Sequence, residues 1–300
     1  MLNAVKEELL DYVSFVSYIK DKIRERMGDS YSVMTYKVLK NNSLELDSLV
    51  LLKEGRNFAP NIYLNGYYDL YLAGTSMKEI IDRLCMIYNH CSIPAIKDDF
   101  NFSLDTIGSY IFFRIVSLER NKKLLTQIPY IKYLDFAVTF HCLVRCEDDG
   151  IGTIRITNEH MKLWNISLNN LRDLAFKNTS RLFPPVIRTM EEVLRGSLDN
   201  GNPSYISCPM YILTNEKGIN GASCLLYKDL IKNFAHQINS DLYILPSSVH
   251  EIILLPMKKK LNIDYLSKMV MEINKSSVPV DEILSDNVYI YSMERDAISM

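Results

Sequence analysis

Apolar residues recur every three or four positions over residues 3–27. Val5, Leu9, Val13, Val16, Ile19, Ile23 and Met27 form one stripe, and Lys6, Glu7, Asp11, Lys20 and Arg24 occupy the other faces. That spacing predicts an amphipathic helix, which Gly28 stops. The period then shortens. "YSVMTYKVLK" and "SLELDSLVLL", joined by "NNS", read as a β-hairpin. "NIYLNGYYDLYLAG" reads as a short helix with Ile62, Tyr63, Tyr67, Leu70 and Tyr71 on one face, although Asn65-Gly66 interrupts it. "TSMKEIIDRLCMIYNHC" is a second amphipathic helix. Thr75 is positioned to cap it, and Ile80, Ile81, Leu84, Ile87 and Tyr88 are its buried side.

Beyond the polar stretch "KDDFNFSL" (residues 97–104) the pattern alternates between periods. "SYIFFRIVS", "LDFAVTFHCLVRC" and "IGTIRIT" read as strands, with "EDDG" turning between the last two. "LERNKKLLTQI", "NEHMKLW" and "SLNNLRDLAFKNTSRL" read as helices. The last of these puts Leu168, Leu171, Leu174 and Ala175 on one side. The prolines of "PPVIRTMEEVLRG" suit a helix's first turn. "CPMYILTN", "ASCLLY", "DLYILP", "HEIILLP" and "NVYIYSM" read as strands, and "KDLIKNFAHQI" and "NIDYLSKMVMEINKS" as helices. Strands that follow one another by short turns, with helices between, predict an α+β fold. Its mixed, mostly antiparallel sheet is covered by helices and preceded by a helix-plus-hairpin part. Residues 97–104 are the expected joint between an N-terminal region, 1–100, and a sheet domain, 101–300.

Composition narrows the function classes. Of the 300 residues, 48% are apolar and 23% charged, the balance of a folded globular chain and not of a disordered one. The net charge of −2 gives no reason to expect nucleic acid as a partner. "PMKKKLN" holds three lysines at 258–260, too short a run for a nucleic-acid footprint. No window reaches the ~18–20 apolar residues of a membrane span, and the start lacks a signal peptide's apolar core. A cytoplasmic chain with reduced, buried cysteines is therefore expected.

Five pieces of candidate chemistry stand out. In "DLYILPSSVHEIILLP", Ser247, Ser248, His250 and Glu251 interrupt an apolar run. On an extended backbone Ser248 and His250 share a face, and Glu251 points away from its neighbour His250, so a relay of acid, base and nucleophile does not assemble there. A break between two strands, with the serines bonded to backbone, is the structural reading. Ser248, His250 and His160 remain the residues from which a hydrolase-like enzyme would build a site.

In "TNEHMKLW", Glu159, His160 and Trp164 sit within one helical turn of each other and can form a polar notch, while Thr157, Asn158 and Glu159 are also ordinary helix-start residues. Cys85, His90 and Cys91, and His141, Cys142 and Cys146, lack zinc-knuckle spacing. On a strand, Cys142 and Cys146 lie roughly 13 Å apart, too far for one ion. "EDDG" lacks the alternating ligands of a calcium loop. No metal and no cofactor is implied. The chain is rich in tyrosine, with 19 residues against one Trp. Tyr63, Tyr67 and Tyr71, four residues apart, can present an aromatic ridge to another protein, and the same spacing suits core.

The blocks "NGYYDLYLAGTSMKEIIDRLCMIY", "NKKLLTQIPYIKYLDFAVTFHCLV", "ITNEHMKLWNISLNNLRDLAFKNTSRLFPP", "MYILTNEKGINGASCLLY" and "DLYILPSSVHEIILLP" occur in this order. Together they resemble an uncharacterised bacterial family, domain of unknown function 5688, over residues 30–292. The block "ITNEHMKLWNIS" with "LRDLAFKNT" is more loosely similar to YtpQ-like proteins. The resemblance implies a cytoplasmic protein of anaerobic Gram-positive bacteria and carries no activity and no catalytic residues. It directs attention to 157–160 and 247–251. The leading expectation is a non-catalytic binding or regulatory protein.

Overall fold

The structure is a computed structural model. It describes residues 9–55, 59–90, 102–147, 150–197, 209–246, 248–258 and 261–300. The expected joint at 97–104, Cys91, Ser247 and half of the "EDDG" turn lie wholly or partly outside those residues. The chain forms two compact units: residues 1–40 with 44–100, and Asn41–Ser43 with 101–300. The architecture is α+β, as the alternating periods predict, and among the described residues every strand pair is antiparallel.

In the first unit, helix α1 (Tyr12–Met27) packs against the hairpin of β1 (Tyr31–Leu39) and β2 (Glu45–Lys53). A two-residue strand, β3 (Ile62–Tyr63), extends the sheet in the order β1-β2-β3. Helices α2 (Asn65–Leu72) and α3 (Met77–His90) complete the unit. The described part of the first helix is capped by the Asp11 carboxylate, which accepts the Ser14 N–H at 2.7 Å. Its buried stripe is Phe15, Ile19 and Ile23. Val13, expected inside, is 77% exposed, because at about 100° per residue it lies about a third of a turn around the helix from that line. Ser76, not Thr75, caps α3, its hydroxyl accepting the Glu79 N–H. β3 is too short to cover β2. The Tyr88 hydroxyl stands in for the missing strand: it donates to Leu49 C=O at 2.7 Å and accepts Leu51 N–H at 3.2 Å.

The second unit begins with α4 (Leu104–Ile107), β4 (Ile111–Ser117), α5 (Lys122–Leu125), β5 (Tyr130–Tyr133), β6 (Phe136–Glu147) and β7 (Gly150–Arg155). β6 pairs with β4, β5 and β7. Helices α6 (Asn158–Trp164) and α7 (Leu168–Leu182) follow, then β8 (Pro185–Thr189), α8 (Met190–Ser197), β9 (Tyr211–Asn215), a 3₁₀ turn at Gly221–Leu226 and α9 (Leu230–Ile238). The chain closes with β10 (Leu242–Leu245), β11 (Ile252–Pro256), α10 (Ile263–Ser277), β12 (Tyr289–Ser292) and β13 (Ala297–Ser299). These last strands form a six-stranded sheet in the order β13-β12-β10-β11-β9-β8. Leu266 and Val270 of α10 pack on Tyr243, Leu245, Leu255 and Val288.

Three segments differ from the sequence pattern. Ile62 and Tyr63, read as part of a helix, are strand β3, because they pair with Leu49 and Ser48. The helix begins only at Asn65, so Tyr63 does not share a helix face with Tyr67 and Tyr71. "PPVIRT" is a strand and not a helix start. Pro185 opens an edge strand, where a missing N–H costs nothing in the ladder. "ASCLLY" is the buried 3₁₀ turn and not a strand. Apolar composition alone does not separate the two when a segment is buried on all sides.

The turn has a definite task. The Leu118 N–H bonds the Asp135 C=O, and the pairing register then makes the even-numbered residues of β4 bond β6, so the odd-numbered ones face away. β4 is nonetheless buried almost throughout. Side chains close its open edge. Thr179 Oγ1 accepts Phe113 N–H at 3.1 Å, Ser223 Oγ of the 3₁₀ turn accepts Ile115 N–H at 3.2 Å, and the Asn178 amide donates to Ile111 C=O at 3.0 Å. Asn121 does the same for Ser117 C=O at 2.8 Å. Ser223→Ala leaves a buried N–H without an acceptor. It is expected to lower the unfolding free energy by about 1–3 kcal/mol in urea titrations without changing the slope.

Candidate functional site

Ser248–Glu251 lie in the tight connection between β10 and β11, so the backbone is not extended through Ser248 and His250 as the alternation argument assumes. Polar atoms hold the loop. Ser248 Oγ accepts the backbone N–H of His250 at 3.0 Å, and Ser248 N–H donates to Glu251 C=O at 3.3 Å. Nδ1 of His250 accepts Asn220 N–H at 3.2 Å, which leaves the ring proton on Nε2. Nε2 faces Oε1 of Glu282 at 3.6 Å. The acid beside His250 is therefore Glu282, thirty-two positions downstream, and not Glu251. The loop is anchored further by Val249, whose N–H donates to Glu282 C=O at 2.8 Å and whose C=O accepts Ala222 N–H at 3.2 Å.

Gly221 sits at the closest point of this contact. A Cβ there would lie 2.1 Å from Thr214 Oγ1 and 2.4 Å from His250 C=O. Thr214 Oγ1 itself donates to that carbonyl at 2.8 Å. Only glycine lets the 3₁₀ turn lie against β9 and the His250 loop together. Ser248 Oγ and the His250 ring thus both serve backbone donors, and the hydroxyl meets the backbone of His250 and not its imidazole.

His160 is held separately. Its Nδ1 accepts Thr157 N–H at 3.1 Å while Thr157 Oγ1 accepts His160 N–H, a reciprocal cap at the start of α6. The ring stacks on Trp164 at 5.5 Å and meets Phe102 edge-on at 4.9 Å. Burial keeps this imidazole below its ordinary pKa. Glu159 points to solvent and pairs with Lys162 at 2.8 Å. The expected notch is an aromatic cluster, and among the described residues His160 and His250 have no partner in common.

Of the tyrosines, Tyr63 lies under the Lys40 ammonium, 4.6 Å from the ring centroid. Tyr67 and Tyr71 are half-buried and pack on the first unit's core. The Tyr71 hydroxyl accepts Leu10 N–H at 3.0 Å, and its ring stands 5.5 Å from Phe15. Cys85 and Cys142 are buried, and burial raises both thiols, Cys142 to about 12. Cys146 is exposed. Among the described residues no three His, Cys, Asp or Glu side chains converge as a metal set would.

A cleft of about 360 Å³ lies where α9 crosses β8 and β9. Ile187, Tyr211, Leu230 and Phe234 give it an apolar floor, and Tyr211 meets Phe234 edge-on at 4.9 Å. Thr189, Glu192, Asn233 and Gln237 form the rim. Glu192 Oε2 accepts Thr189 N–H at 2.8 Å, and Thr189 Oγ1 accepts Glu192 N–H, so both side chains are fixed. Asn233 and Gln237 stand one turn apart on α9 with exposed amides. Periodicity alone gave this cleft no weight. The i, i+4 amide pair was its one local signal, and strands β8 and β9 are brought to it only by the sheet.

Two consequences are measurable. Gly221→Ala is expected to cost more than about 4 kcal/mol, or to prevent folding, because the clashing atoms include backbone that cannot move alone; a near-normal melting curve would contradict the close packing. His141 is 2% exposed, and burial first, then Arg114 and Arg155, hold its imidazole well below the usual value. The unfolded chain takes up that proton near pH 6.5, and the folded chain does not. Stability should therefore fall by about 1.4 kcal/mol for each pH unit below ~6.5, with His160 acting in the same direction. Urea titrations at pH 7.5 and 5.5 should show a smaller difference for His141→Leu than for the unmodified chain.

No helix among the described residues is long and apolar enough to cross a membrane. No curated protein and no solved structure matches the chain. Nothing in the comparisons shows the looser likeness to YtpQ-like proteins. The model of a family of unknown function (DUF5688) matches residues 12–293, nearly the whole chain, and the protein belongs to that family.

Proposed function

We propose that the chain is a non-catalytic binding protein of the cytoplasm, with its ligand site in the cleft between α9 and strands β8 and β9. One observation carries the reading: the polar atoms best suited to catalysis are engaged by backbone. The Ser248 hydroxyl and the Nδ1 atoms of His250 and His160 each accept a main-chain N–H. A base whose lone pair is committed to structure is not available to take a proton. The thiols of Cys142 and Cys224, raised by burial to about 12, are protonated at neutral pH and are poor nucleophiles. Buried free thiols also suit a reducing compartment.

The cleft has the opposite character. An apolar floor under a rim of amides, a hydroxyl and a carboxylate is the usual make-up of a small-molecule pocket. It suits a compact, largely apolar ligand with one or two amide or hydroxyl groups. It is a better binding surface than the ridge of Tyr63, Tyr67 and Tyr71, whose rings already serve the core and Lys40.

A second reading, a hydrolase-like enzyme, is favoured by the half-exposed pair of His250 Nε2 and Glu282. One screen separates the two. In protein-observed NMR with small amide-bearing compounds, shifts should gather on Thr189, Tyr211, Asn233 and Gln237. Gln237→Trp, filling the cleft from its exposed rim, should abolish them at an unchanged melting temperature. Shifts centred on the 246–251 loop, or covalent labelling of Ser248 by a fluorophosphonate, would establish the enzyme reading instead.

A further inference from the structure

The sheet edges of this chain are treated unequally. The outward edge of β4 is closed by Asn178, Thr179, Ser223 and Asn121, and that of β2 by Tyr88. In β8 the outward-facing residues are the odd-numbered ones, since Met190 N–H bonds Met210 C=O and Glu216 N–H bonds Pro184 C=O. Pro185 has no N–H to offer there, and Thr189 N–H is taken by Glu192. β1 differs. It is nine residues long, terminal in its sheet, paired in unbroken register with β2, and free of proline and bulge.

The outward groups of β1 follow from its bonds. Glu54 N–H donates to Ser30 C=O and Lys40 N–H to Leu44 C=O, so even-numbered residues bond β2 and Val33, Thr35 and Lys37 face away. Among the described residues, Thr35 and Lys37 have no hydrogen-bond partner for these groups. Val33 C=O receives only Arg24 Nη2, at 3.5 Å, the outer limit of a hydrogen bond. On the solvent face of the same strand Met34 is 40% and Tyr36 is 46% exposed. An edge of this kind is a template for another strand.

We propose that β1 pairs antiparallel with β1 of a second copy of this chain, about a two-fold axis through Thr35. The sequence is self-complementary in that register. Thr35 faces Thr35 of the partner subunit. Met34 faces Tyr36 of the partner subunit, twice over by symmetry, so each exposed thioether meets an exposed ring. Val33 faces Lys37 of the partner subunit, which keeps the two ammonium groups off each other. An axis through Lys37 would oppose them directly, and one through Met34 would set Tyr36 against Ser32 and lose the aromatic contact. The paired three-stranded sheets become one continuous sheet of six. This inference goes beyond the binding reading and does not depend on it: a monomer with an occupied cleft, or a dimer with an empty one, tells the two apart.

Light scattering on the full chain across a wide concentration range should show a monomer–dimer equilibrium. Thr35→Pro removes the outward N–H without touching a bond to β2 and should leave the chain monomeric with an unchanged melting curve. If that proline destabilises the hairpin, Met34→Lys gives the same readout with the backbone intact. Register is read by cross-linking. Thr35→Cys should form an intermolecular disulfide on mild oxidation beyond the background of the unmodified chain. Lys37→Cys should not, because those two positions lie far beyond the ~7 Å a disulfide can span. A monomer at every concentration, or a dimer indifferent to both substitutions, overturns the proposal.

Discussion

The second unit depends on closing the edge of one buried strand. β4 carries Ile111, Phe112, Phe113, Ile115 and Val116 into the interior, yet it pairs on one side only. Each outward N–H or C=O would cost about 1–3 kcal/mol if left bare in that environment. The chain supplies Asn178 and Thr179 from α7 and Ser223 from the 3₁₀ turn, all of them buried. These polar residues look out of place on apolar faces. They are there because the strand beside them has no neighbouring strand.

That requirement reaches the candidate site. To bring Ser223 to Ile115, the chain from 220 to 226 must cross β9 at contact distance, and Gly221 is the residue that permits it. The same crossing sets Asn220 beside His250 and Ala222 beside Val249. The loop that carries Ser248, His250 and Glu251 is thus one wall of a packing contact. Its polar atoms satisfy a tightly turned backbone at the point where two elements meet.

Much of this was legible beforehand. Helix α3, the β1–β2 hairpin, strands β4 and β6 and a cap at Thr157 or Asn158 follow from period and capping chemistry, which act over a few residues. The departures share a cause. The first helix buries Phe15 in place of Val13 because the hairpin and α2 pack on the line of Phe15, Ile19 and Ile23. "PPVIRT" became a strand because β9 was there to pair with it. "ASCLLY" became a turn because it packs on β9 while Ser223 serves the edge of β4.

Local periodicity determined the class of fold, the alternation of elements and the antiparallel habit of the sheets, because each is written within a turn or two of chain. Tertiary structure alone decided which acid stands beside His250, which hydroxyls close β4, and that residues from β8, β9 and α9 share one cleft. The reason is physical: hydrogen-bond partners more than thirty positions apart are chosen by the geometry of packed elements, and no spacing along the chain encodes that choice.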